Sequence, residues 1–146
     1  VCEAGMLLAR VTAISRGTER TFVILDTGFN HLIRPMLYGA FHNILHAEAA
    51  DVPGSVTVDV CGNICETGDI FQKGFALPPV AEGDVLAITH AGAYGYTMAS
   101  TYNTRPLPAE VMVAGGKARI IRRRETPEAL ASRELELAGL ARQARH

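Results

Sequence analysis

The hydrophobic pattern divides this chain into short apolar runs separated by turn residues. Residues 6–15 (MLLARVTAIS) are aliphatic and β-branched, and residues 20–25 (RTFVIL) form a second such run. The break between them, Arg16-Gly17-Thr18-Glu19, predicts a hairpin with a glycine-containing loop. Asp26-Thr27-Gly28-Phe29-Asn30 ends the second strand in turn residues. Leu32-Ile33-Arg34-Pro35 reads as irregular, because the residue before a proline is steered away from the helical region. Residues 36–50 carry weak helical periodicity with room for a short helical turn, and Asp51-Val52-Pro53-Gly54 breaks it.

Residues 55–60 (SVTVDV) predict a strand that delivers the stretch Cys61-Gly62-Asn63-Ile64-Cys65-Glu66-Thr67-Gly68-Asp69. Residues 73–79 read as a loop, and residues 85–89 (VLAIT) as a strand after the turn Ala81-Glu82-Gly83-Asp84. Ala91-Gly92-Ala93-Tyr94-Gly95-Tyr96 is too glycine-rich for a central strand and predicts close backbone approach. Residues 101–108 read as a polar loop. Residues 109–113 and 117–123 predict a final hairpin around Ala114-Gly115-Gly116. Thr126-Pro127-Glu128 is a helix start, with a capping hydroxyl, a proline at the first position and an acid near the positive end. That helix is expected to run from Pro127 toward Gly139, with Arg142 and Arg145 in a solvated basic tail. The sum is a mostly-β fold, a Greek-key-like barrel or sandwich with a few short helices and a C-terminal helix.

Composition narrows the function classes. A chain of 146 residues suffices for one domain with a core. A formal net charge of -1 gives no electrostatic case for nucleic acid or an anionic membrane. No apolar run approaches the roughly 20 residues of a membrane span. The opening Val1-Cys2-Glu3-Ala4-Gly5 lacks the basic and apolar regions of a signal peptide, and reads as a cut from a longer chain. Three cysteines, Cys2, Cys61 and Cys65, make a poor disulfide framework and suit a reducing, cytoplasmic setting.

The densest chemistry is Cys65-Glu66, a thiol beside a carboxylate on a turn. Cys61 and Cys65 lack the second ligand pair that zinc requires, and no metal is expected; Cys61 reads as a packed apolar residue. His42 and His46 are four residues apart, but lack the neighbouring glutamate and third ligand of a metalloprotease helix, so they read as surface or structural histidines. Gly92-Ala93-Tyr94-Gly95 has neither the spacing nor the following helix of a phosphate loop. Arg34 is the best candidate for clamping a carboxylate, weighed against a surface ion pair. By default Tyr38 and Tyr102 are amphipathic packing residues.

Ile64-Cys65-Glu66-Thr67-Gly68-Asp69 resembles the Cys-Glu-Ser-Gly-Asp signature of the diaminopimelate decarboxylases, pyridoxal-phosphate enzymes with an alanine-racemase-like fold. Other blocks agree in the family's order: Asp26-Thr27-Gly28 with Arg34-Pro35-Met36-Leu37-Tyr38-Gly39, Leu77-Pro78, Glu82-Gly83-Asp84, Ala91-Gly92-Ala93-Tyr94-Gly95, Tyr102-Asn103-Thr104-Arg105-Pro106 and residues 121–126 (IRRRET). The resemblance implies that residues 1–146 are the C-terminal β domain of a two-domain enzyme. Its N-terminal (β/α)₈ barrel, absent from this chain, would carry the Schiff-base lysine, and neither Lys73 nor Lys117 suggests that role.

The resemblance also implies roles. Arg34 would bind the distal carboxylate of the substrate, with Tyr38 beside it as a hydroxyl donor. Glu66 would take the distal ammonium. Cys65 would deliver a proton to the substrate carbon after carbon dioxide leaves, and Tyr102 would contact the cofactor near its phosphate. Cys65 and Glu66 would serve the partner subunit of a homodimer with shared active sites. The implied reaction is decarboxylation of meso-diaminopimelate to L-lysine. A relative acting on another amino acid with an acidic distal group, and an inactive homologue acting as a binding partner, are the alternatives. Asn63, Thr67 and His31 depart from the family's usual proline, serine and acid, and Asn63 and His31 adjoin substrate-facing positions.

Overall fold

A computed structural model describes residues 1–137, which divide into two compact units, residues 1–99 and the part of the chain from Ser100 onward. The first unit is built on β1 (Leu7–Arg16), β2 (Thr21–Leu25), β3 (Ile44–His46), β4 (Val56–Cys61), β5 (Ile70–Leu77) and β6 (Val85–Ile88), with one short helix, α1 (Arg34–Tyr38). The strands form one sheet in the order β3-β6-β1-β2-β4-β5. All neighbours are antiparallel except β2 and β4, which run parallel with Phe22 opposite Asp59.

The expected period of two is present. Ala9 and Val11 of β1 and Val23 and Leu25 of β2 point into the core, while Leu8 and Arg10 point out. They meet Leu32, Ile44, Val58, Val60, Phe71, Leu77, Leu86 and Ile88 in one apolar cluster. The two edge strands approach one another, and the Gln72 amide beside them donates to the His42 carbonyl at 3.0 Å. The sheet is thus a nearly closed barrel, which leaves little unpaired edge.

Two segments differ from expectation. Residues 73–79 are not a loop from their start, because β5 continues to Leu77 and pairs with β4. Gly74 disguises the strand: it sits at φ +58°, opposite an irregularity between Val58 and Val60. There the buried Asp59 carboxylate accepts the Gly74 N–H at 2.7 Å and pairs with Arg20 at 3.2 Å. Residues 36–50 hold little helix: α1 starts at Arg34, and Ile44–His46 is a strand. Pro35 lies in the first turn of α1, where its missing N–H costs nothing.

The histidines of that segment are structural and inside rather than on the surface. Nδ1–H of the fully buried His42 donates to the Thr89 carbonyl at 2.8 Å. His46 is also buried. Its Nε2–H donates to Asp84 at 3.1 Å while its Nδ1 accepts the Glu48 N–H at 3.3 Å. That bond pattern suits the neutral tautomer. The Ala81 N–H and then His46 hold the Asp84 carboxyl below its ordinary range. The close approach expected at Gly92 occurs: a Cβ there would fall on the Val1 carbonyl oxygen and against the Gly5 nitrogen.

The second unit contains the hairpin of β7 (Glu110–Ala114) and β8 (Lys117–Arg122), then α2 (Pro127–Leu137). Gly115 and Gly116 both have positive φ, as a two-residue hairpin turn of this hand requires. Arg122 pairs with Glu110 across the strands at 2.6 Å. The Thr126 hydroxyl accepts the Ala129 N–H at 3.1 Å, so the expected cap is formed. The expected helix end at Gly139 and the tail arginines, Arg142 and Arg145, lie outside the described residues. Among the described residues no helix is long and apolar enough to cross a membrane.

Candidate active site

The site begins where β2 and β4, parallel neighbours, end side by side. From β2 the chain passes through a buried segment, Thr27 to Leu32, before reaching Arg34 on α1. From β4 it passes through residues 62–69, the turn that carries Cys65 and Glu66. The Asn63 N–H donates to the Thr27 carbonyl at 3.1 Å and ties the two segments together.

Asp69 joins them a second time. Its side chain is buried; Oδ1 accepts the Phe29 N–H at 2.7 Å and Oδ2 accepts the Ile64 N–H at 2.7 Å. Gly28 and Gly62 make the room. A Cβ on Gly62 would fall on the Asp69 carboxylate, and one on Gly28 would stand 2.5 Å from Ile64 Cγ1. Cys65 and Glu66 follow Ile64 directly and are exposed, and the Thr67 hydroxyl donates to Glu66 Oε1 at 3.1 Å. The hydroxyl at position 67 thus keeps a use beside Glu66.

Arg34 is half-buried at the start of α1, and among the described residues no carboxylate pairs with it. Its guanidinium lies 5.9 Å from the centre of the Tyr94 ring, a cation–π distance. Tyr94 itself is held at φ +61°, an uncommon conformation for a bulky residue and one that clusters at functional sites. Sequence reasoning left Tyr94 in a glycine-rich loop without a role. The glycines around it were the available signal. Tyr38, at the far end of α1, is 64% exposed, so its hydroxyl is open to a ligand rather than committed to packing.

The Met36 side chain packs on Gly68, where an added Cβ would stand 2.9 Å from the Met36 methyl carbon. α1 and the Cys65–Glu66 turn therefore adjoin. A cleft of about 320 Å³ opens beside them, lined among others by Pro35, Phe41, Thr67, Ile70 and Lys73. Tyr102 belongs to the second unit, in a short 3-10 turn where Asn103 and Thr104 both have positive φ. The structure therefore brings four of the five expected residues, Arg34, Tyr38, Cys65 and Glu66, onto two adjoining elements. The two departures next to them divide: Asn63 is exposed, whereas His31 is buried with Nδ1 bonded to the Thr27 hydroxyl at 2.8 Å.

The two thiols on this stretch are not alike. Cys61 is half-buried at the end of β4, its thiol 3.6 Å from the Val23 carbonyl. Burial first, and then the carboxylates of Asp69 and Asp59, push its pKa up to about 11. The thiolate is the nucleophile, so Cys61 should resist iodoacetamide in the native full-length protein at pH 8 and react only after denaturation. Peptide mapping checks this. Native labelling at the rate of the unfolded chain would show an open Cys61.

Among the described residues no group of three or more histidine, cysteine or acidic side chains is placed to hold a metal. The geometry has counterparts in known proteins. The family described as "Pyridoxal-dependent decarboxylase, C-terminal sheet domain" matches residues 3–92. A diaminopimelate decarboxylase of Methanothermobacter thermautotrophicus is 50% identical over 126 residues, covering 86% of this chain and 29% of the relative. One from Zymomonas mobilis is 47% identical over 132 residues, covering 89% of this chain and 30% of the relative. The structure is also similar to that of a Helicobacter pylori diaminopimelate decarboxylase complexed with L-lysine. The TM-score is 0.84 at 40% identity, over 96% of this chain and 34% of the other. The chain spans about a third of the length of these relatives. By the match over residues 3–92, the chain belongs to the pyridoxal-dependent decarboxylase family, in its C-terminal sheet domain.

Proposed function

We propose that this chain is the C-terminal β domain of a diaminopimelate decarboxylase, which converts meso-diaminopimelate to L-lysine and carbon dioxide. The carrying observation is Arg34: a half-buried arginine on the element next to Cys65–Glu66, unpaired with any described carboxylate and beside the strained Tyr94. A half-buried cation without a counter-charge suits an anionic ligand group, and the planar guanidinium fork matches a carboxylate. Diamine-forming reactions on lysine or ornithine offer no distal carboxylate for it. Relatives named diaminopimelate decarboxylase, at 47–50% identity, support the same substrate.

In this reading Arg34 holds the distal carboxylate and the Tyr38 hydroxyl donates to it. Glu66 takes the distal ammonium, with the Thr67 hydroxyl fixing one of its oxygens. Cys65 gives a proton to the substrate carbon once carbon dioxide has left. Pyridoxal phosphate, when bound, supplies the sink for the electron pair that the departing carboxylate leaves behind. Cys65 is exposed, as a residue that serves the cofactor's substrate must be. Tyr102, a half-exposed residue of the second unit, is given the contact near the cofactor's phosphate. Lys73 and Lys117 are exposed strand residues, and the proposal assigns the Schiff-base lysine to an N-terminal (β/α)₈ barrel. The exposure of Cys65 and Glu66 supports their service to a partner's site in a homodimer.

The test is carbon dioxide release by the full-length enzyme from meso-diaminopimelate against a panel of amino acids. Turnover of diaminopimelate above the rest is expected. No turnover of it beside clear turnover of another acid would sink the reading.

A further inference from the structure

One buried carboxylate reaches both of the site-bearing segments. Asp69 is 3% exposed, and its two oxygens accept N–H groups from opposite sides, Phe29 at 2.7 Å and Ile64 at 2.7 Å. Ile64 is the residue before Cys65. Phe29 lies in the buried passage, Thr27 to Leu32, and Arg34 follows it five residues later. The backbone of Asp69 closes the turn as well: its N–H donates to the Glu66 carbonyl at 3.0 Å and its carbonyl accepts the Gly62 N–H at 3.0 Å.

We propose that Asp69 is a positioning residue that sets Arg34 and the Cys65–Glu66 pair in one frame, whichever of a dimer's active sites each of them serves. This rests on the function proposed above. The chemistry requires an acid here. Both oxygens face donors, and a carboxylate offers acceptors on both, whereas an amide of the same shape offers one acceptor and turns an NH₂ toward the other donor. Charge also shortens and strengthens such bonds, in keeping with the 2.7 Å distances. The glycines at 28 and 62 leave the space that this carboxylate fills. Catalysis needs reacting groups held to a fraction of an ångström, so a clamp one residue from a proton donor affects rate more than it affects folding.

The experiment uses the full-length enzyme with Asp69→Asn, and in parallel Gly62→Ala, whose methyl would occupy the carboxylate's position. Hydrogen exchange should accelerate at least about 10-fold at residues 28–32 and 63–67, while β1, β2 and β6 keep their protection. Turnover should fall at least about 10-fold with the cofactor's absorbance retained. In a double-mutant cycle with Cys65→Ala, the combined loss should be well short of the product of the single losses, since Asp69 acts through that turn. Unchanged turnover, fully multiplying losses, acceleration in only one of the two segments, or global unfolding of both variants would each overturn the proposal; the last would make Asp69 a residue of stability alone. If wild-type enzyme does not act on diaminopimelate, the substrate reading fails by itself. The exchange pattern, and the cycle on the substrate that the panel identifies, still decide the case for Asp69.

Discussion

Cys65→Ala in the full-length enzyme is expected to lower kcat roughly 100- to 10,000-fold, the range that a positioned acid or base contributes. The thiol is exposed on a turn whose neighbours, Ile64 and Glu66, are both fixed by backbone hydrogen bonds. Alanine removes the proposed proton donor and keeps those backbone bonds, so the cofactor's absorbance should stay near wild type. Cys65→Ser should recover little, because a serine hydroxyl is far weaker as an acid than a thiol. Substrate binding should suffer less than turnover, since Glu66 and Arg34 remain. Steady-state rates and a cofactor absorbance spectrum decide it. Unchanged turnover in Cys65→Ala would remove the thiol from the proton-donor role.

The second large effect concerns Arg34. Removing one partner of a desolvated charge pair costs about 2–5 kcal/mol, which predicts that Arg34→Ala lowers kcat/KM for diaminopimelate roughly 30- to 5,000-fold. Arg34→Lys should fall between, since an ammonium keeps the charge but loses the two-pronged geometry. The effect should be selective. Any slow turnover of substrates without a distal carboxylate should change little, and cofactor affinity should hold. Among the described residues Arg34 makes no ion pair, so its removal leaves no described carboxylate without a partner. Equal losses in substrate and cofactor binding would show that Arg34 supports structure instead.

Much of the architecture was legible along the chain because it is local. The first hairpin, the strands at 56–61 and 85–88, the last hairpin and the cap at Thr126 follow from period-two alternation, glycine pairs and capping hydroxyls. These signals are complete within a few residues. Two elements were hidden by the same kind of local signal. Leu77-Pro78-Pro79 suggested a loop over residues 73–79, yet β5 runs to Leu77, and a buried Asp59 on β4 satisfies the Gly74 N–H within it. The strand Ile44–His46 has only three residues, too few to show a period, and is held by pairing with β6.

For the candidate site, sequence by itself supplied the candidates: a thiol, an acid, an arginine and tyrosines, in blocks that resemble one enzyme family. It also determined the turn that presents Cys65 and Glu66, because glycine and aspartate end a strand by their own local preferences. Only the tertiary structure decided that β2 and β4 lie parallel and release these residues side by side. It alone made Asp69 a clamp, put Tyr94 against Arg34, and left Arg34 without a described carboxylate partner. The reason is range. Asp69 meets Phe29 across 40 positions, a contact that no local pattern encodes and that exists only once the sheet has brought the two strand ends together.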